Sequence, residues 1–147
     1  MIFNAILNQE INNLVTDLDL QKKAVDILKR NTAEIEDINI SQLEKGEDGD
    51  GAMLAPSYRN KSYEAMKRSR LGLRTPLGVP NLRLTGETHK NIKALVSSKE
   101  IVFTVIDRYD LLKKYGEFIG LNDSGQNELK EDIIIPEMID DIKQDLR

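Results

Sequence analysis

The side chains of this sequence that could take part in chemistry are scattered, and none of them forms a convincing reacting set. His89 is the only histidine. It has no second imidazole with which to hold a metal, and a general base needs a partner and a cleft, so it reads as a structural or surface side chain. Glu47, Asp48 and Asp50 resemble the first half of a calcium loop, which needs oxygen ligands at alternate positions, Gly at the sixth and Glu at the twelfth. Counting from Asp48 puts Arg59 at the twelfth position, where the charge is wrong. Glu64 with Lys67, or Glu100 with Asp107, would have to be the start of a metal-dependent hydrolase, but spacing alone does not bring two carboxylates onto one ion. The GDGAML stretch lacks the Lys-Ser/Thr end of a phosphate-binding loop and the spacing of a dinucleotide fingerprint. There is no Cys, which excludes disulfides and thiolate metal sites. The expectation is a chain without catalytic residues, metal or cofactor.

What remains is a charge asymmetry. Arg59, Lys61, Lys67, Arg68, Arg70, Arg74 and Arg83 far outnumber Glu64 over their stretch, and they follow directly on the acidic loop EKGEDGDG. Three readings are open: contact with nucleic-acid phosphate, a basic face meeting an acidic face on a neighbouring copy, or a solvated helix face. The 147-residue chain carries a formal net charge of −4, which gives no general positive field toward phosphate. Hydrophobic residues make up 39% and aromatics 5%, so the core must be aliphatic. No apolar run approaches the roughly 18 residues needed to span a bilayer. The N-terminal MIFNAILNQEI lacks a basic n-region, so no signal peptide is expected.

The elements that must position these residues read as follows. Residues 3–31 are helical, with Ile6, Ile11, Leu14, Val15 and Leu18 on one stripe, as one long helix or two consecutive ones; Asp19 can cap the second, and Lys29 and Arg30 suit its last turn. Residues 32–43, with Ile35, Ile38 and Ile40 between acids, read as a short strand or extended segment. Gly46, Gly49 and Gly51 mark a turn-rich, flexible acidic loop, and Gly72, Pro76, Gly78 and Pro80 a second loop; residues 57–69 between them suit a helix. Asn81 to Leu84 gives one short alternation, and Thr85 an N-cap for a helical turn through His89. Residues 93–98 and 100–106 read as two strands about Ser97-Ser98-Lys99, the second central to a small sheet. Asp107 caps a helix that stops at Gly116. Residues 126–147 form a C-terminal helix, broken before Pro136, with Ile133, Ile134, Met138, Ile139 and Ile142 inward. The fold class is therefore α+β: N-terminal helices, a small mostly antiparallel sheet and a C-terminal helix in one domain over 1–147, with extended loops at 43–57 and 71–80.

Taken together, Asp50-Gly51, Pro56-Ser57-Tyr58, the Lys67 helix, Leu82-Arg83-Leu84-Thr85-Gly86 and Tyr115-Gly116 resemble the head-completion, neck and tail-completion proteins of tailed phages, the virion-morphogenesis and related connector families. Phe118-Ile119-Gly120-Leu121 is similar to an Ile-Phe-Gly-Leu box in versions from phages of Bacteroidetes hosts, crAss-like phages among them. The resemblance covers roughly residues 42–121. It implies a structural subunit of a homo-oligomeric ring in the neck or head-to-tail connector of a virion, assembled in the host cytoplasm. Its partners would be further copies of itself, the portal and adjacent connector or tail proteins, with DNA passing close by and no membrane. A ring repeats one heterologous interface, so each copy needs two unlike complementary surfaces. The residues expected to supply them are Gly46, Asp48, Asp50, Tyr58, Arg59, Lys67, Arg68, Arg70 and Arg74. The alternative is a small nucleic-acid-binding or packaging accessory protein that uses the basic 59–83 segment.

Overall fold

The computed structural model describes residues 19–83 and 86–147; the stripe expected before Asp19 and the cap expected at Thr85 lie outside them. Asp19 opens helix α1 (Leu20–Arg30), its carboxylate accepting from the Lys22 amide at 3.3 Å, and Lys29 and Arg30 close it. The chain turns at Asn31 directly into α2 (Thr32–Glu44).

Helix α2 corrects the strand expected over 32–43. Its buried positions are Ile35, Ile38, Asn39, Gln42 and Leu43, the three-and-four spacing of one helix face. A strand would have put Ile38 and Ile40 on the same side; the helix leaves Ile40 half-buried at the edge of the core and brings Asn39 and Gln42 fully inward. The chain they pack on meets both groups of the Gln42 amide and the nitrogen of Asn39, while Asn39 Oδ1 is buried without a hydrogen-bond partner among the described residues. Both side-chain nitrogens donate to the Gly120 carbonyl, at 2.7 and 2.8 Å, and Gln42 Oε1 accepts from the Asn122 amide at 3.1 Å. The polar pair thus fixes where the 118–122 segment crosses α2.

Two hydrophobic clusters share this helix. Ile35 and Ile38 pack with Ala94 and Leu129, while Leu43 packs with Leu54, Leu82, Ile92 and Phe118. Burying each such side chain contributes about 1.5–3 kcal/mol. The sheet that closes over α2 is a two-stranded antiparallel hairpin, β1 (Lys93–Val96) with β2 (Ile101–Thr104), registered Ala94 to Phe103 and Val96 to Ile101. The turn follows the expectation: Ser97 Oγ accepts from the amides of Lys99 and Glu100. The expected central place of the second strand does not hold, since among the described residues β2 pairs with β1 alone. On β1, Glu36 of α2 accepts from the Ala94 amide at 3.0 Å, which covers an otherwise open strand edge.

Helix α3 (Lys61–Leu71) begins four residues later than expected, and a short α4 (Glu87–Lys90) precedes β1. Asn81 to Arg83 is not a strand; Leu82 sits at φ 55, a left-handed conformation no strand admits. After β2, Asp107 accepts from the amides of Leu111 and Leu112 at 2.7 and 2.8 Å, and so starts α5 (Leu111–Tyr115), which Gly116 ends at φ 69. The C-terminal helix begins earlier than expected and is not broken before Pro136. Asn122 caps α6 (Asp123–Glu128), a π-helical stretch covers Leu129–Ile134, and α7 (Ile135–Asp145) carries Pro136 in its first turn. Proline has no N–H to donate and its ring crowds the preceding turn; the wider π turn admits it without ending the helix. Arg30 donates to Glu137 and Asp141 of α7, and Asn31 to Glu137, at 2.9–3.1 Å, tying the two ends of the described chain together. No described helix is long and apolar enough to cross a membrane.

Candidate functional site

Helix α3 buries charge. Its N-cap Asn60 accepts from the Tyr63 amide at 3.0 Å and it stops at Gly72 in the left-handed region. Its buried residues are Glu64 and Lys67. Positions three and four apart share a helix face, so Tyr63 stands with Lys67, and Glu64 with Arg68, on adjoining faces. The two faces serve different ends.

On the first, Arg68 donates two hydrogen bonds to Glu64 Oε1 at 3.0 and 2.7 Å, and one each to the carbonyls of Thr75 and Pro76 at 2.8 and 2.7 Å. Glu64 Oε1 also accepts from the Gly78 amide at 2.7 Å. The Gly78 amide, and then the Arg68 guanidinium, hold the Glu64 carboxyl below its ordinary range. The Thr75 hydroxyl donates to the Val79 carbonyl. The 71–80 loop is thereby fixed from below, and at its tip Leu77 is 86% exposed. Gly46 lies against the same loop. At φ +81, a Cβ there would stand 2.5 Å from Val79 Cγ1, so glycine is required by both conformation and space. Gly49 likewise meets the Ile119 carbonyl, where a Cβ would be at 2.7 Å. The acidic loop expected to be flexible is pinned on both sides. Asp48 closes it by accepting from the amides of Asp50 and Ala52, both at 2.9 Å.

On the second face lies a cleft of about 390 Å³. Tyr58, Tyr63, Tyr109 and Tyr115 all line it, and they are the four tyrosines of the chain. Lys67 lies at its wall, only 2% exposed. Its ammonium donates to Tyr58 Oη at 2.9 Å and to Asn81 Oδ1 at 3.0 Å, and stands 5.3 and 5.8 Å from the ring centres of Tyr58 and Tyr63. Those rings meet edge to face at 5.9 Å. Among the described residues no carboxylate pairs with Lys67. Burial without a counter-charge pulls the ammonium down to about 8, and burial pushes the Tyr58 phenol up to about 12. An amine so shifted is a better nucleophile than a surface lysine, but no base is hydrogen-bonded to it.

Asn81, buried and outside the lining itself, ties together residues that line the cleft. Its side chain accepts from both Lys67 and the Arg83 amide, and its carbonyl accepts from His89 Nε2 at 2.9 Å. Those bonds hold Leu82 in its left-handed conformation. His89 is buried on α4, and desolvation lowers its pKa, so it serves as a neutral donor to a carbonyl.

Of the residues expected to form contacts between copies, Tyr58, Arg59 and Lys67 come together at the cleft. Gly46, Asp48 and Arg68 are engaged within the chain. Asp50, Arg70 and Arg74 are exposed. Sequence reasoning did not single out Tyr63, Asn81, Tyr109, Lys114 or Tyr115 for the site. The four-residue spacing of Tyr63 and Lys67 was the one local signal that could have found any of them. Among the described residues no three His, Asp or Glu side chains are grouped so as to hold a metal ion.

Comparison of the chain with protein-family models, with curated proteins and with solved structures finds no match.

Proposed function

We propose that this chain is a structural subunit of an oligomeric ring, of the kind that joins portal to tail in the neck of a tailed phage. The observation that carries the reading is the braced loop. A hydrogen-bond network of Glu64 and Arg68 holds residues 75–78 in place, yet the side chain delivered at the tip, Leu77, faces solvent. An apolar anchor on a preorganised loop is the arrangement that lowers the ordering cost of docking. Arg70 and Arg74 are exposed cations, and Asp50 on the acidic loop supplies exposed charge of the other sign. These are two unlike surfaces, as a repeating heterologous contact needs. The resemblance of residues 42–121 to connector proteins agrees with this role.

The test is the mass of the purified protein by sedimentation, for the native chain and for a variant carrying Leu77→Asp, Arg70→Glu and Arg74→Glu. Arg68 is left intact because it holds the loop. The expected result is a closed oligomer for the native chain and a folded monomer for the variant. A native chain that stays monomeric at all concentrations, or a variant that assembles with unchanged stoichiometry, would sink the proposal. The cations and tyrosines of the cleft favour one second reading, single-stranded nucleic-acid binding by stacking on a basic groove. It predicts affinity for an oligonucleotide that falls steeply with salt.

A further inference from the structure

The cleft beside α3 has a composition that the ring reading does not use. Its charged lining among the described residues is Arg59, Lys67, Arg83 and Lys114 against a single carboxylate, Glu87. Glu87 is bound by Arg108 and by the Tyr109 hydroxyl at 3.4 Å, and Arg83 by Glu44 at 2.8 Å. Lys67 has no such partner. An ammonium has three N–H donors; two go to Tyr58 Oη and Asn81 Oδ1, both neutral. The third has no acceptor among the described residues. A cation withdrawn from water without a counter-charge is costly, and the groups around it stabilise it only through ring faces and neutral oxygens. The volume of about 390 Å³ lies in the range of small-molecule sites, which pair apolar and aromatic walls with a few convergent polar groups.

We infer that this cleft is a binding site for a small anion, a carboxylate or phosphate monoester carried on a flat apolar ring. The anionic oxygen takes the third donor of Lys67, and the ring lies against the tyrosine walls. Arg59 and Lys114 at the lining add attraction of the same sign. The site is built before the ligand arrives, because Asn81 fixes both the lysine and the Leu82 backbone from below. The inference does not rest on the ring reading, which is argued from Leu77, Arg70, Arg74 and Asp50, none of which lines the cleft.

The chain itself supplies the readout. It has no Trp, and its four tyrosines all line the cleft, so intrinsic tyrosine fluorescence reports on this site alone. Phenyl phosphate and phenylacetate are titrated into the full chain, with 2-phenylethanol as the uncharged analogue. The expected result is saturable change with both anions, at least about tenfold tighter than the alcohol, and loss of that preference in Lys67→Met. Should the variant fail to fold, the comparison of anion with alcohol on the native chain still decides. Equal affinity for anion and alcohol, or no saturation by any of the three, overturns the inference. A response only to oligothymidylate, steeply weakened by salt, also overturns it, in favour of the nucleic-acid reading.

Discussion

Glu64 and Lys67 are one turn apart on the same helix and both are buried, yet their surroundings are opposite. Glu64 meets a guanidinium and a backbone amide, and its charge is fully met. Lys67 meets a phenol, an amide oxygen and two aromatic faces, and its charge is not. A buried charge with complete partners organises the chain around it, here the 71–80 loop. A buried charge without them keeps a donor available to something else. The first is a structural device and the second has the character of a recognition device, although residue type and burial alone would class them together.

The largest expected effect comes from breaking the complete side. Arg68→Met removes the bonds to Glu64, Thr75 and Pro76 together and leaves a buried carboxylate short of its partner. It should cost roughly 3 kcal/mol of stability, measured by denaturant titration, with the Gly78 amide exchanging faster. If stability is unchanged, the loop is held by other contacts. Next, Gly46→Ala should cost about 2 kcal/mol, from the positive φ and the approach of Val79. A loss within error would mean that the 46–52 loop moves aside at no cost.

The uncompensated side should show itself through pH. Lys67 binds its proton less tightly in the folded chain than unfolded, with a folded pKa of about 8 against an ordinary 10.5. The unfolded state therefore holds more protons above that value, and stability rises with pH from about 8, at no more than about 1.4 kcal/mol per pH unit. The window closes near pH 10. There Tyr58, whose phenol is raised, begins to keep its proton in the folded state after the unfolded chain has lost it, and the slope reverses. Lys67→Met should abolish the rise. A native chain with a flat stability profile over pH 8–10 would show that Lys67 is compensated in solution.

Much of the local structure was legible in the residues themselves. The Asp19 cap, the basic last turn of α1, the hairpin about Ser97 and the stop at Gly116 each depend on a few adjacent residues whose preferences agree. The errors arose where local signals conflicted. Residues 32–43 carry isoleucines that fit two periods, and only packing of Asn39 and Gln42 onto Gly120 selects the helix. The glycines of the acidic loop suggested freedom, because the approach of Val79 and Ile119 comes from more than thirty residues away in the chain. The π stretch ahead of Pro136 has no sequence signature distinct from a break.

The sequence by itself determined the α+β class, the aliphatic core, the capped helix ends and the concentration of positive charge over 59–83, since composition, caps and turns act at short range. Only the tertiary structure decided which of those charges are free. Arg68 and Lys67 are neighbours in sequence, and the first is bound into a loop while the second lines a cleft walled by tyrosines from both sides of the hairpin. That division depends on where residues 75–83 and 109–115 cross α3, and contacts between distant segments are set by the fold as a whole rather than by any local preference.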